Sequence, residues 1–259
     1  MMPKNEWSVP HQTPILLNDD IHVWRASLEV PSARLEYLYR MLSEDEVIRA
    51  KQYCFEQDRR RFIIRRGLLR RILSGYLGQS PSKISFSYNS YGKPALASIS
   101  GKPTLYFNMS HSCGLAIYAI TRSQEVGVDI ERIRPSENAE DIVKRFFSSR
   151  EKAEFSTLPE RIKKQAFFTC WTRKEAYIKA RGEGLSHPLD QFSVSLIPGE
   201  PARLLSCHND SCETERWDLR ELTVNARYVA TLAFEGRHDS KLRCFHVKSD
   251  HCLVEKDLK

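Results

Sequence analysis

The order of predicted elements along the chain constrains the fold more than any other feature. Helical periodicity covers residues 31–78, and short alternating segments typical of strands follow it. The same order, helices and then strands, begins again at residue 138. We therefore predict an α+β protein of two similar subdomains packed side by side, residues 1–124 and residues 125–259. A cleft between two such halves is a common place for a ligand.

Helix-start and helix-break signals refine this order. Ser43 and Glu46 have the spacing of a capping box, which predicts a helix that begins just after Ser43. Pro159 predicts a break in the second helical stretch, residues 138–182. Residues 195–218 show the weakest pattern, so we expect an exposed loop there. The predicted strands are residues 21–28, 83–88, 104–110, 114–120, 125–131, 192–197, 217–224, 227–234 and 242–248.

Composition narrows the class of protein. Forty basic and 33 acidic side chains leave a net charge of +7, which favours an anionic partner such as nucleic acid, a phosphorylated small molecule or an acidic protein. No window approaches the roughly eighteen apolar residues of a membrane span, and we expect no secretory signal. Seven scattered cysteines favour reduced thiols in the cytoplasm. Zinc is not expected at Cys207, His208 and Cys212, because no second ligand pair has comparable spacing.

Two acidic residues lie close together in the segment "VGVDIE". Asp129 and Glu131 are two positions apart on a predicted strand, so their side chains point to the same face. Burying two adjacent carboxylates without a counter-charge would be costly. A divalent cation would offset their repulsion, and carboxylate oxygens suit magnesium. The alternative is an exposed strand edge with two solvated acids.

A third carboxylate lies on a predicted helix in the segment "WTRKEAYIKARGEGL". Glu175 and Lys179 are one turn apart on the same face, and Lys174 precedes them. A metal held by strand and helix acids, with lysines beside it, is an arrangement that handles phosphate groups. The alternative is an amphipathic surface helix that carries one ion pair.

Basic and turn residues upstream could contact phosphate. An arginine-rich helical segment follows Lys51 and includes Arg61. Lys93 lies in the turn "YGKP", where it is either a phosphate contact or simply exposed. Ser110 and His111 lie just at the end of the predicted strand 104–110, with His111 following it. A histidine there is either structural or a hydrogen-bond donor to a phosphate oxygen.

Five motifs stand together in one order along the chain. They are "YGKP", "FNMSHS", "GVDIE", "RFFSSREKAEF" and "WTRKEAYIKARGEGLSHPLDQFSV". In this order, over roughly residues 23–194, they closely resemble the surfactin-synthetase-type 4'-phosphopantetheinyl transferases. The resemblance implies a monomeric enzyme whose two α+β halves pack as a pseudo-dimer, with the active site in the cleft between them.

The resemblance also implies the reaction and its partners. Such an enzyme uses coenzyme A and Mg²⁺ to move the 4'-phosphopantetheine arm onto a serine hydroxyl of an apo acyl carrier or peptidyl carrier protein, and it releases adenosine 3',5'-bisphosphate. The acidic helix of a carrier protein would suit the basic chain. Fatty-acid, polyketide and nonribosomal-peptide carriers all remain open, and the length of the chain favours the broad-substrate branch by analogy.

Roles for individual residues follow from the same resemblance. Asp129, Glu131 and Glu175 would be the magnesium ligands. The base that activates the serine would be Glu175, Glu151 or water, and Lys179 would help the leaving phosphate depart. The residues expected to contact coenzyme A are Lys51, Arg61, Lys93, Ser110, His111, Lys174 and Lys179.

Two other functions fit parts of the sequence. A metal-dependent nuclease needs two acids and a lysine on paired strands, whereas Lys179 follows Glu175 by four residues on a predicted helix. A nucleic-acid-binding protein could use the arginine-rich segment at residues 59–71, but the segment has no binding motif beyond its charge. We therefore expect neither a nucleic-acid partner nor a membrane partner.

Overall fold

The computed structural model describes residues 5–97, 105–135, 138–208, 210–236 and 240–247. Its helices are α1 (Ser32–Tyr39), α2 (Glu44–Lys51), α3 (Glu56–Leu77), α4 (Ala139–Phe146), α5 (Ser149–Thr157), α6 (Glu160–Arg181) and α7 (Glu213–Arg216). Its strands are β1 (Trp7–Ser8), β2 (Asp20–Ser27), β3 (Phe86–Tyr88), β4 (Pro94–Leu96), β5 (Tyr106–Ser112), β6 (Leu115–Thr121), β7 (Val126–Arg132), β8 (Phe192–Val194), β9 (Leu204–Cys207), β10 (Trp217–Glu221), β11 (Tyr228–Glu235) and β12 (Lys241–His246). Within the described ranges, no helix has the length and apolarity needed to cross a membrane.

Two sheets lie at the centre of the fold, and a long helix covers each of them. The larger sheet has the order β1-β12-β2-β6-β5, and the smaller has the order β10-β11-β7. Helix α3 packs on the outer face of the larger sheet, and α6 packs on the outer face of the smaller one. The inner faces share an apolar core of alternating residues, such as Val128 and Ile130 against Val23 and Ile117. The prediction of an α+β protein with two subdomains is confirmed.

Most predicted elements are present, and the differences have local causes. The capping box at Ser43 and Glu46 is formed. The helical stretch predicted before Pro159 is divided into two helices. A second capping box, at Ser148 and Glu151, starts α5 just after the end of α4. The expectation of an exposed loop at residues 195–218 is wrong, because this stretch contains β9 and α7. Residues 104 and 248, at the ends of two predicted strands, lie outside the described residues.

The last described strand lies in the larger sheet. β12 pairs in parallel with β2, and β1 pairs in parallel with the other edge of β12. Trp7 anchors β1, because its indole nitrogen donates to the carbonyl of Thr223 at 2.6 Å. A strand from the C-terminal segment therefore completes the sheet built mainly by the N-terminal segment. The division of the chain into residues 1–124 and 125–259 stays a prediction.

Polar side chains join the edge of the larger sheet to β7. On β5, Asn108 accepts the backbone N–H of Val128 at 3.0 Å, and Ser112 accepts that of Arg132 at 3.1 Å. Between them, Ser110 donates to the carboxylate of Asp129 at 2.7 Å. These three β5 residues are two positions apart, so they share one face of the strand. The two subdomains therefore meet along a polar seam that leads into the acidic residues of β7.

Gly127 sets the distance between β7 and α6. An added Cβ at Gly127 would overlap backbone atoms of Ala176 and Ala180 on α6. Backbone atoms in a packed helix cannot move aside as a flexible side chain can. The missing side chain therefore lets the helix lie directly on the strand.

We expect Gly127→Ala to lower the free energy of unfolding by about 3 kcal/mol or more, because the methyl group forces α6 away from β7. Gly114→Ala is the matched control, since a Cβ there meets only the carboxylate end of Glu29, at 3.2 Å. Chemical unfolding of the two variants measures the difference. Equal stability of both variants would show that the close approach at Gly127 does not constrain the fold.

Candidate active site

The acidic residues of β7 and α6 share one cavity with an end of β5. The cavity has a volume of about 350 Å³. Its lining consists of Met109, Ser110, His111, Asp129, Glu131, Trp171, Glu175 and Lys179. The strand spacing places Asp129 and Glu131 on the face of β7 that meets α6, and the helical spacing places Glu175 and Lys179 opposite them. The structure therefore brings the three predicted metal ligands to a single place.

Asp129 is the most enclosed acid of the cavity, with only 3% of its surface exposed. Its Oδ1 accepts hydrogen bonds from Lys179 Nζ at 2.5 Å and from Ser110 Oγ at 2.7 Å. Its Oδ2 is buried and has no hydrogen-bond partner among the described residues. A buried carboxylate oxygen without a partner is costly, and a cation in the cavity would satisfy it.

Burial and the neighbouring charges shift the pKa values of the cavity residues. Burial raises the pKa of Glu175 to about 7; Lys179 opposes this change, and Asp129 and Glu131 add to it. Burial also raises the pKa of Glu131, against the hydrogen bond that Ser112 Oγ donates to its Oε2 at 2.8 Å. Burial alone would lower the pKa of Lys179, but the acids around it raise that pKa above its usual value. One ammonium group thus faces three carboxylates.

The oxygen atoms of the three acids suit a hard divalent cation, but the three side chains are not arranged around a single point. All three acids supply oxygen atoms, which magnesium prefers. Among the described residues, no group of three His, Cys, Asp or Glu side chains is arranged to hold a metal ion. Lys179 occupies one oxygen of Asp129 instead. A bound cation would have to take the place of this ammonium group beside Asp129.

Two basic residues, His111 and Arg65, lie beside the acids. The imidazole Nε2 of His111 contacts the guanidinium of Arg65. Burial, together with the positive charges of Arg65, Lys179 and Arg61, lowers the pKa of His111 to about 4. The ring is therefore neutral near pH 7 and can donate one hydrogen bond. Sequence reasoning did not single out Arg65, because the eight basic residues from 51 to 71 gave no sign of which one contacts His111.

Glu151 and Lys174, two residues predicted to act in the site, lie outside it. Both are fully buried, and Lys174 Nζ lies 2.8 Å from Glu151 Oε2. Lys174 also donates to the carbonyls of Leu189 and Phe192, and Glu151 accepts the N–H of Val194. Together these contacts tie α5, α6 and the segment around β8 to one another. The geometry therefore gives this pair a structural role and does not support the predicted catalytic and coenzyme-binding roles.

The other predicted coenzyme contacts are spread around the first subdomain. Lys51 is exposed at the end of α2. Arg61 lines a second cavity of about 380 Å³, next to Arg60. Lys93 lies 2.6 Å from the carboxylate of Glu125. Of the predicted coenzyme contacts, Ser110, His111 and Lys179 line the cavity that holds the acids.

Comparison with known proteins assigns the family. A model of the 4'-phosphopantetheinyl transferase superfamily matches residues 125–233, and a model of the 4'-phosphopantetheinyl transferase N-terminal region matches residues 24–123. The 4'-phosphopantetheinyl transferase HetI of Nostoc sp. (strain PCC 7120) is 39% identical over 91% of this chain and 96% of its own length. This chain belongs to the 4'-phosphopantetheinyl transferase superfamily.

Two further relatives agree with this assignment. The putative 4'-phosphopantetheinyl transferase slr0495 of Synechocystis sp. (strain PCC 6803) is 32% identical over 77% of this chain and 76% of its own length. The 4'-phosphopantetheinyl transferase Sfp of Bacillus subtilis (strain 168) is 35% identical over 62% of this chain and 69% of its own length. The resemblance inferred from the five motifs is confirmed, and the acidic cavity is the candidate active site of a phosphopantetheinyl transferase.

The buried pair of Glu151 and Lys174 gives a test of its structural role. We expect Lys174→Met to lower the free energy of unfolding by about 3–5 kcal/mol, because it leaves the carboxylate of Glu151 buried without its counter-charge. The double variant Lys174→Met with Glu151→Gln should recover part of this loss, since the buried charge is then absent. Urea unfolding measures both. A Lys174→Met protein as stable as the parent would rule out the structural role.

The raised pKa of Glu175 predicts a pH-dependent stability in the presence of a chelator. The folded state holds the proton of Glu175 up to about pH 7, whereas the usual value is 4.5. The resulting stabilisation is complete below about pH 4.5 and is lost as the pH rises towards 7. Glu175→Gln stays neutral, so at pH 8 it should be more stable than the parent by about 3 kcal/mol, and at pH 4.5 the difference should vanish.

Chemical unfolding at both pH values checks this prediction. Glu160→Gln is the control, because that carboxylate lies on the same helix with 85% of its side chain exposed. A constant difference between Glu175→Gln and the parent across this range would contradict the prediction.

Proposed function

We propose that this chain transfers the 4'-phosphopantetheine arm of coenzyme A to a serine hydroxyl of an apo acyl carrier or peptidyl carrier protein, and that it acts as a monomer in the cytoplasm. The reaction is Mg²⁺-dependent and releases adenosine 3',5'-bisphosphate. The observation that supports this proposal best is the convergence of Asp129, Glu131, Glu175 and Lys179 on one cavity. Family membership supplies the type of reaction, and the cavity supplies groups suited to it.

The acids would hold the metal ion. Asp129 offers a buried oxygen without a partner, and Glu131 and Glu175 offer further carboxylates in the same cavity. Bound Mg²⁺ would polarise the phosphate oxygens of the coenzyme and offset charge that develops on them. Ser110 and Ser112 hold two of the carboxylates in place through hydrogen bonds of 2.7 and 2.8 Å.

The chemical step needs a base, because a serine hydroxyl is a weak nucleophile. The serine oxygen of the carrier attacks the phosphorus that bears the pantetheine arm, and the bond from that phosphorus to the bridging oxygen breaks. The serine proton passes to Glu175, directly or through water, and the bisphosphate leaves with the bridging oxygen. Glu151 is fully buried in its ion pair and is not positioned for this role.

The basic residues act on the diphosphate. Lys179 exchanges its contact with Asp129 for a phosphate oxygen and stabilises the leaving group. The neutral ring of His111 donates a hydrogen bond to the same group, with Arg65 beside it. Lys179 and His111 line the same cavity as the three acids. The cavity therefore offers both cation ligands and phosphate contacts within reach of one diphosphate.

The proposal predicts a mass change in a carrier protein. Incubation of apo-carriers from fatty-acid, polyketide and nonribosomal-peptide pathways with coenzyme A, Mg²⁺ and this chain should add the mass of one phosphopantetheine group to at least one carrier. Excess EDTA should stop the transfer, and Asp129→Asn should lower its rate by a factor of about 100 or more, because the cation loses its most buried ligand.

The outcomes of this experiment separate the parts of the proposal. Transfer that continues unchanged in EDTA would remove the metal from the mechanism. No mass change with any of the three carriers, from a protein that unfolds cooperatively, would contradict the proposed function.

A further inference from the structure

The turn between β3 and β4 binds the C-terminal end of α6, although the two lie in different subdomains. Asn89 Nδ2 donates to the carbonyl of Gly182 at 2.8 Å, and Lys93 Nζ donates to the carbonyl of Ala180 at 2.8 Å. Lys93 Nζ also lies 2.6 Å from Glu125 Oε2. We call residues 89–93 the clamp turn.

The clamp turn is also held by hydrogen bonds of its own. Asn89 Oδ1 accepts the backbone N–H groups of Tyr91 at 3.0 Å and of Lys93 at 2.8 Å. The backbone N–H of Asn89 donates to the carbonyl of Lys93 at 3.1 Å, which closes the turn. One amide side chain therefore has two tasks: its oxygen shapes the turn, and its nitrogen reaches the helix.

The carbonyls that the clamp turn binds lack partners within the helix. The last four carbonyls of an α-helix have no intrahelical donor, and cations are favourable near this end. Gly182 ends α6 in the left-handed conformation, with φ of 78°. A Cβ at Gly182 would meet Lys93 Cδ at 3.1 Å and Asn89 Nδ2 at 3.2 Å, so the turn lies directly against the helix end.

The two segments bound by the clamp turn are those that carry the acids of the cavity. Lys179 directly precedes Ala180, and Glu175 is one turn earlier on α6. Glu125 directly precedes β7, which carries Asp129. Movement of the last turn of α6 would therefore change the 2.5 Å contact between Lys179 and Asp129.

We infer that Asn89, together with Lys93, is a positioning residue for phosphopantetheinyl transfer. The clamp turn fixes the last turn of α6 against the start of β7, and it thereby keeps Lys179 and Glu175 aligned with the acids of the strand. Asn89 itself lies on the surface and outside the cavity lining. This inference rests on the proposed function, and it assigns Lys93 a task other than the predicted contact with coenzyme A.

Asn89→Asp tests the inference, because it keeps the oxygen that shapes the turn and removes the N–H that reaches Gly182. We expect kcat to fall roughly tenfold, because small misplacements of catalytic groups are costly, while KM for coenzyme A stays within about twofold of the parent. Lys93→Met should show the same pattern. Asn225→Asp is the matched control: Asn225 is exposed, accepts the N–H of Arg227 at 2.8 Å in another turn, and should keep the parent kcat.

Amide hydrogen exchange gives a second measurement that does not depend on catalysis. Residues 178–182 should exchange faster in Asn89→Asp and Lys93→Met than in the parent or in Asn225→Asp. Unchanged exchange there, or an unchanged kcat with a raised KM for coenzyme A, would overturn the inference. If the parent transfers nothing to any carrier but the exchange result holds, the clamp stands and the proposed function fails.

Discussion

The close contact between β7 and α6 at Gly127 is the constraint on which the candidate active site depends. A side chain at this position would overlap the helix backbone, so only glycine allows the strand and the helix to touch. Because they touch, Asp129 on the strand lies within 2.5 Å of Lys179 on the helix. Glu175 lies on the same helix, and burial is the main cause of its raised pKa.

Lys174 and Glu175 are neighbours on α6, but their charged groups lie in different surroundings. Lys174 is fully buried, and it is matched by Glu151 and two backbone carbonyls. Glu175, the next residue, faces a cavity where three carboxylates are opposed by one ammonium group. The charges of the buried ion pair compensate each other within the fold. The carboxylates of the cavity are only partly compensated, so a bound cation would stabilise them. Whether its charge is compensated therefore distinguishes a structural ion pair from a candidate active-site residue better than burial alone does.

Both subdomains contribute to the cavity, so its geometry depends on how they are joined. The seam of hydrogen bonds between β5 and β7 places Ser110 and His111 beside the acids. The clamp turn joins the first subdomain to the end of α6. Strand β12, which follows both of these segments in the chain, lies within the larger sheet and further ties the two halves together. A two-part fold of this kind positions its catalytic groups through contacts that no single subdomain contains.

The sequence by itself determined the element order, the α+β class, the family, and the spacing that puts Asp129 and Glu131 on one face of a strand. Such features are local, because the period of a strand or helix decides which residues share a face. Only the tertiary structure decided that Lys174 turns into the core while Lys179 reaches the acids, and that Arg65 contacts His111. Both lysines lie on the same helix, five residues apart. Which face meets which partner depends on packing between segments far apart in the chain, and spacing within one segment carries no information about that packing.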